Sequence, residues 1–304
     1  MSAAPVPLRW AGIYAILVTP FHDDLSIDWA SLERQVEFCL QAGAHGLVGP
    51  AIAGEFYTLS DRERAEYYRQ VARMVGGRRP FVATVSGVSG HHAAELARSA
   101  EAAGADALMA MPPYVVPGTG ASVFAYYRQI AAASALPLVV QNAPAPLGSP
   151  LSTPELLSLL GELPSVAVVK EETFPNPQKV GQLIGAMGQD RAAVFGGLGG
   201  IYLLNELERG AAGSMPACQF LDIVVDLYEA YRTGDQAGAR ARFNALQPAL
   251  VMERLYNMTF MKECLRRRGL QPTTLTRTPE PPMDAHDLCE LDAVWTNLTP
   301  YFRM

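Results

Sequence analysis

Short apolar runs alternate with longer stretches of helical spacing along the first three quarters of the chain. The apolar runs cover residues 12–18, 45–49, 81–86, 107–111, 138–142, 166–172, 192–196 and 211–215. They are built mainly from small and β-branched residues, with little polar alternation. That is the pattern of parallel strands buried on both faces. Between them lie amphipathic segments at 28–41, 60–75, 91–103, 122–133, 153–163, 176–187, 201–209 and 221–232. The first places Leu32, Val36 and Leu40 on one face and stops at Gly43. Ser60 with Glu63 three residues on reads as a capping box, and Thr153 reads as the cap of the fifth helix.

Eight strand–helix units in about 220 residues predict a closed (β/α)8 TIM barrel. A doubly wound open sheet is the alternative, but no nucleotide-type glycine turn accompanies the eight regular repeats. Beyond residue 232 the strand pattern ends, and helices are predicted at roughly 236–253, 257–268 and 284–300. The expected organisation is a barrel over 1–232 and a C-terminal helical extension over 233–304.

Composition narrows the function. Hydrophobic residues make up 49% of the chain and charged residues 18%, enough apolar side chain for a large core. The net charge is −6, and the densest basic cluster, Arg266 to Arg268, reads as a helix end, so nucleic acid is not an expected partner. No apolar run approaches the roughly 18 residues of a membrane span, and no basic segment followed by an apolar one opens the chain. Cys39, Cys218, Cys264 and Cys289 lie far apart and fit no metal spacing. A reduced cytoplasmic protein without metal or cofactor is the expectation.

Barrel active sites lie at the carboxyl ends of the strands. The residues collected there are Thr19-Pro20, the turn from Ala51 to Glu55, Ser86, Met111 to Tyr114, Gln141-Asn142, Lys170 to Glu172, Gly196-Gly197 and Met215-Pro216. Lys170 stands out. The chain has three lysines, Lys170, Lys179 and Lys262, and uses arginine for nearly all its other positive charge. Arginine cannot form a Schiff base, whereas a desolvated lysine amine is a nucleophile toward ketones. Lys170 follows Val166-Ala167-Val168-Val169, an apolar run ending at a water-poor position. Side chains alternate along a strand, so Glu172 shares the side of Lys170 and Glu171 takes the other. The blander reading is a lysine that snorkels or pairs with a neighbouring glutamate.

These strand ends together resemble the dihydrodipicolinate synthase/N-acetylneuraminate lyase family of barrel aldolases. The resemblance covers nearly the whole chain. It rests on Gly54-Glu55 after strand two, Pro113-Tyr114 after strand four, Asn142-Ala143-Pro144 after strand five and Lys170 ending strand six. It implies that Lys170 forms a Schiff base with a 2-keto acid, usually pyruvate. It also implies that the main chain from Ile52 through Ala53 to Gly54 binds the acid's carboxylate. Tyr114 then acts across a subunit contact of a homotetramer built from tight dimers. Four positions depart from the family pattern: Ile52 and Ala53 replace a hydroxyl pair, Gln141 stands where the catalytic tyrosine would be, and Pro146 replaces an arginine. Lys170-x-Glu172-Thr173 and Gln141 are closer to one branch, the 2-keto-3-deoxy-pentonate dehydratases of the L-arabinonate type, which has Asp where Asn142 stands.

A protonated imine at C2 of a 2-keto acid acidifies C3, and the resulting enamine can expel a hydroxyl from C4. Glutamine cannot exchange the proton that aldol cleavage demands, so Gln141 favours dehydration, with Glu172 as acid/base. The alternatives are an aldolase acting at C3–C4 with pyruvate, or a keto-acid-binding relative without turnover. Gly196-Gly197 is expected to allow close approach of backbone to a ligand, and Glu55 to satisfy amides of its own turn.

Overall fold

Eight parallel strands close on themselves in sequence order in the computed structural model, which describes residues 10–188 and 191–303. They are β1 (Gly12–Ile16), β2 (Gly46–Gly49), β3 (Phe81–Thr84), β4 (Ala107–Ala110), β5 (Leu138–Asn142), β6 (Val166–Glu171), β7 (Ala193–Gly196) and β8 (Gly213–Ser214). Helices follow them in turn: α1 (Trp29–Gln41), α2 (Asp61–Val75), α3 (Gly90–Ala102), α4 (Gly120–Ala133), α5 (Thr153–Glu162), α6 (Asn176–Met187), α7 (Leu203–Leu207) and α8 (Leu221–Arg232). The chain therefore forms the predicted TIM barrel. Its strands are buried almost throughout, as apolar runs between two layers must be. Tyr14 and Phe195 meet edge to face inside the barrel, with ring centroids 5.5 Å apart.

Local chemistry sets the helix boundaries. At the start of α2 the Ser60 hydroxyl accepts from the Glu63 amide and the Glu63 carboxylate accepts from the Ser60 amide, the capping box read from the sequence. At α5 the cap is Ser152, one residue before the predicted Thr153, and Glu155 accepts from its amide. Thr153 is instead the first helical residue, and Pro154 follows where a missing amide costs nothing.

Past α8 come α9 (Gln236–Arg267) and α10 (Ala285–Leu298). The two predicted helices at 236–253 and 257–268 form one long element, broken at Asn257, whose φ is 43° and ψ −117°. This extension grips the mouth of the barrel. The Lys262 ammonium lies 2.6 Å from the Glu55 carboxylate, and both side chains are fully buried. The second Glu55 oxygen accepts from the Arg277 amide at 2.9 Å. The Arg277 side chain in turn donates to Glu63, Thr58 and Leu25. Glu55 thus satisfies backbone amides as expected, but those of the extension and not of its own turn. Among the described residues no helix is long and apolar enough to cross a membrane.

Candidate active site

Lys170 is the penultimate residue of β6, with its side chain only 4% exposed. Its register partner on β5 is Gln141, and Asn142 lies opposite Glu171. Alternation then carries Lys170, Gln141 and Glu172 into the barrel mouth. The Lys170 Nζ lies 3.1 Å from Glu172 Oε1. Glu172 Oε1 also accepts from the Leu198 amide at 3.0 Å, and its Oε2 accepts from Gln141 Nε2 at 2.7 Å. Burial pushes the Glu172 pKa up. The Lys170 charge and the two amides outweigh it and hold the carboxyl below the usual carboxylate range. Glu172 is therefore an ionised base beside a primary amine.

Lys170, Glu172 and Gln141 line a cavity of about 280 Å3 together with Ala51, Ile52 and Ala53. Ile52 and Ala53 belong to the short turn Ile52–Gly54. Among the described residues the amides of Ile52 and Ala53 meet no acceptor, whereas the Gly54 amide donates to Ala51. Unpaired N–H groups on residues of a cavity wall suit an anion. The Thr19 hydroxyl braces the turn by donating to the Gly54 carbonyl at 2.6 Å. A Cβ at Gly54 would stand 3.1 Å from the Leu17 carbonyl, so a bulky residue there must shift the turn. Gly54 itself does not line the cavity; it supports the two residues that do.

The loop after β7, Gly196-Gly197-Leu198-Gly199-Gly200, packs against three carboxyl groups. A Cβ at Gly196 would lie 1.8 Å from Glu206 Oε2, one at Gly197 2.3 Å from Glu172 Oε1, and one at Gly199 2.4 Å from Glu253 Oε1. Gly196 and Gly197 were expected to admit a ligand; they admit protein carboxyls, and neither lines the cavity. Glu206, on α7, is fully buried, and neither of its oxygens meets a donor in good hydrogen-bond geometry. Burial, then the Glu172 charge, pushes its pKa up to about 8, with the Gly197 amide and Lys170 offsetting only part.

Asn142 and Tyr114 also sit elsewhere than the cavity. The Asn142 amide donates to Glu171 and to the Leu151 carbonyl and accepts from the Leu151 amide, so its polar atoms lock the loop after β5 outside the barrel mouth. Glu171 faces that same outer side, where burial raises its pKa against the pull of Thr173 and Asn142. Tyr114 packs edge-on against Phe56 at 5.4 Å and is half-buried. Three residues at or beside the site carried no sequence signal of their own. Glu206, Gln219 and Glu253 look like ordinary helix-surface positions. The four glycines in five residues at 196–200 were the available hint that side chains crowd there.

The profile of the Dihydrodipicolinate synthetase family matches residues 9–297. An L-2-keto-3-deoxyarabonate dehydratase of Azospirillum brasilense is 33% identical, covering 99% of this chain and 98% of its own. A 4-hydroxy-tetrahydrodipicolinate synthase of Pseudomonas aeruginosa is 32% identical over 86% of this chain and 89% of its own. Among solved structures, the dihydrodipicolinate synthase of Rhodopseudomonas palustris superposes with a TM-score of 0.87 at 27% identity, covering 95% of this chain and 97% of that one. On the strength of the matched profile and these full-length likenesses, the chain belongs to the dihydrodipicolinate synthetase family and is a lyase.

Proposed function

We propose that this lyase dehydrates a 2-keto-3-deoxy sugar acid, a pentonate above others, through an imine on Lys170. The observation that carries the reading is the arrangement of Lys170, Glu172 and Gln141 in one cavity, with the Glu172 carboxylate 3.1 Å from the amine. The substrate carboxylate is received by the amides of Ile52 and Ala53. The Lys170 amine attacks C2 and expels its oxygen as water, giving a protonated imine. That cation acidifies C3. Glu172 accepts the C3 proton and returns it to the C4 hydroxyl as the C3–C4 double bond forms and water leaves. Hydrolysis of the imine frees Lys170, so the net change is the loss of one water from the substrate.

Gln141 favours this course over aldol cleavage. It donates to Glu172 and fixes its orientation, but it carries no titratable proton for the C4 hydroxyl. The likeness to the Azospirillum dehydratase supports the same reading. The synthase likeness supports a second, C3–C4 bond chemistry with pyruvate. Incubation with 2-keto-3-deoxy acids, followed by identification of the product, separates the two. The expected product keeps every carbon and has lost one water; pyruvate with a free aldehyde makes the protein an aldolase.

Assembly belongs to the same proposal. As family membership suggests, four copies associate as a dimer of dimers, with Tyr114 near a neighbour's site in the cytoplasm. Sedimentation equilibrium checks this, and a monodisperse monomer contradicts it.

A further inference from the structure

The cavity has a second polar end, on the C-terminal extension. Glu253, on α9, is 6% exposed and lines the cavity. Gln219 Nε2 donates to its Oε2 at 2.6 Å, which fixes the carboxyl in place. Among the described residues its Oε1 meets no hydrogen-bond partner, and it is not sealed off from the cavity. What keeps that oxygen open is Gly199, where a Cβ would stand 2.4 Å away. Gly199 also has φ 71°, a backbone region that favours glycine.

Asn257 and Arg254 line the cavity from the same helix. Asn257 breaks α9 with a positive φ of 43°, and a non-glycine residue in that region costs about 1–3 kcal/mol. Strain of this kind persists where the surroundings impose it, and here it coincides with the cavity wall. None of these residues has a task at the reacting carbons, which Lys170, Glu172 and Gln141 serve. Most of the remaining wall here is apolar, including Met258 and Met261.

We infer that Glu253, steadied by Gln219 and joined by Asn257, forms a distal subsite that hydrogen-bonds the hydroxyl groups of the substrate beyond C4, so that the C-terminal extension sets substrate choice. This rests on the 2-keto acid reading above and names the part of the acid that the extension recognises. Burial holds the Glu253 carboxyl up at about 7, against the pull of Gln219 and Arg254, so it can accept from or donate to a hydroxyl near neutral pH.

The test compares pyruvate, which has no atoms beyond C3, with a 2-keto-3-deoxy-pentonate. Borohydride trapping of pyruvate reports the reacting end alone. Wild type, Glu253→Gln and Glu253→Leu are expected to trap it equally, which also shows that each variant is folded. For the pentonate, Glu253→Leu is expected to raise KM at least about tenfold with a smaller change in kcat, the scale of a lost hydrogen bond to a charged group. Glu253→Gln, which keeps the shape and one acceptor, is expected to fall between. Normal pyruvate trapping with an unchanged pentonate KM in Glu253→Leu overturns the subsite while leaving the lyase reading intact. A wild type that traps neither acid overturns both.

Discussion

Glu172 holds its charge in a place where burial alone would remove it. Three groups do this together: the Lys170 amine, the Leu198 amide and the Gln141 side chain. Glu172→Gln is expected to leave imine formation intact and slow turnover at least about a hundredfold, the scale of losing a general acid/base. Single-turnover trapping beside steady-state kinetics checks it; loss of the adduct would place Glu172 in imine formation instead. Glu206 is the opposite case, a buried carboxyl without such partners, its pKa raised from 4.5 to about 8. The folded state keeps this proton where the unfolded chain has released it. Its contribution to stability is fully present below pH 4.5 and lost as pH rises through about 8. Glu206→Gln does not titrate, so wild-type stability should fall relative to that variant by at most roughly 4–5 kcal/mol across this window. Urea denaturation at both ends of the range reads the difference, and a pH-independent gap contradicts the assignment. At this scale much of the site was legible. Alternation alone put Lys170 and Glu172 on one side. The same alternation separates Gln141 from Asn142, whose amide turns outward to Glu171 and Leu151. Glu253 was not legible, because its partner Gln219 and its opening at Gly199 come from distant parts of the chain.

Among the elements, the loop after β7 and the turn after β2 do most to shape the site, and each depends on something remote. The glycines of the β7 loop leave room for carboxyls carried just past the end of β6, on α7 and on α9. The β2 turn is anchored through Glu55, which is tied to Lys262 on α9 and to the amide of Arg277. Removing one partner of a buried ion pair strands the other charge. Lys262→Met is therefore expected to destabilise the fold by about 3–5 kcal/mol and to disturb the amides of Ile52 and Ala53 proposed to receive the substrate carboxylate. Thermal unfolding with a keto-acid titration checks both effects; an unchanged melting temperature would mean the pair is dispensable. Strand positions and most helix ends were readable because apolar periodicity and caps are local signals. The shift from Thr153 to Ser152 is a one-residue matter of which hydroxyl precedes Pro154. The Glu55–Lys262 pair spans 207 residues, and no local pattern records it.

For the whole molecule, the barrel and its extension are one working unit. Eight repeats made the barrel readable, since each strand–helix unit carries the same periodicity. The extension was readable as helices but not as a wall of the active cavity, because its role follows from how it folds back over the strand ends. Lys170, Glu172 and Gln141 come from neighbouring strands, the carboxylate turn from β2 and the distal wall from α9. In the proposed mechanism the chemistry converges on one amine. Mass spectrometry of the protein after borohydride reduction in the presence of a 2-keto-3-deoxy-pentonate tests that claim most directly. The expected result is a single stable adduct on the peptide bearing Lys170, absent in Lys170→Ala, which should also have no turnover. Turnover in wild type without any adduct on Lys170, or undiminished turnover in Lys170→Ala, would contradict the imine mechanism.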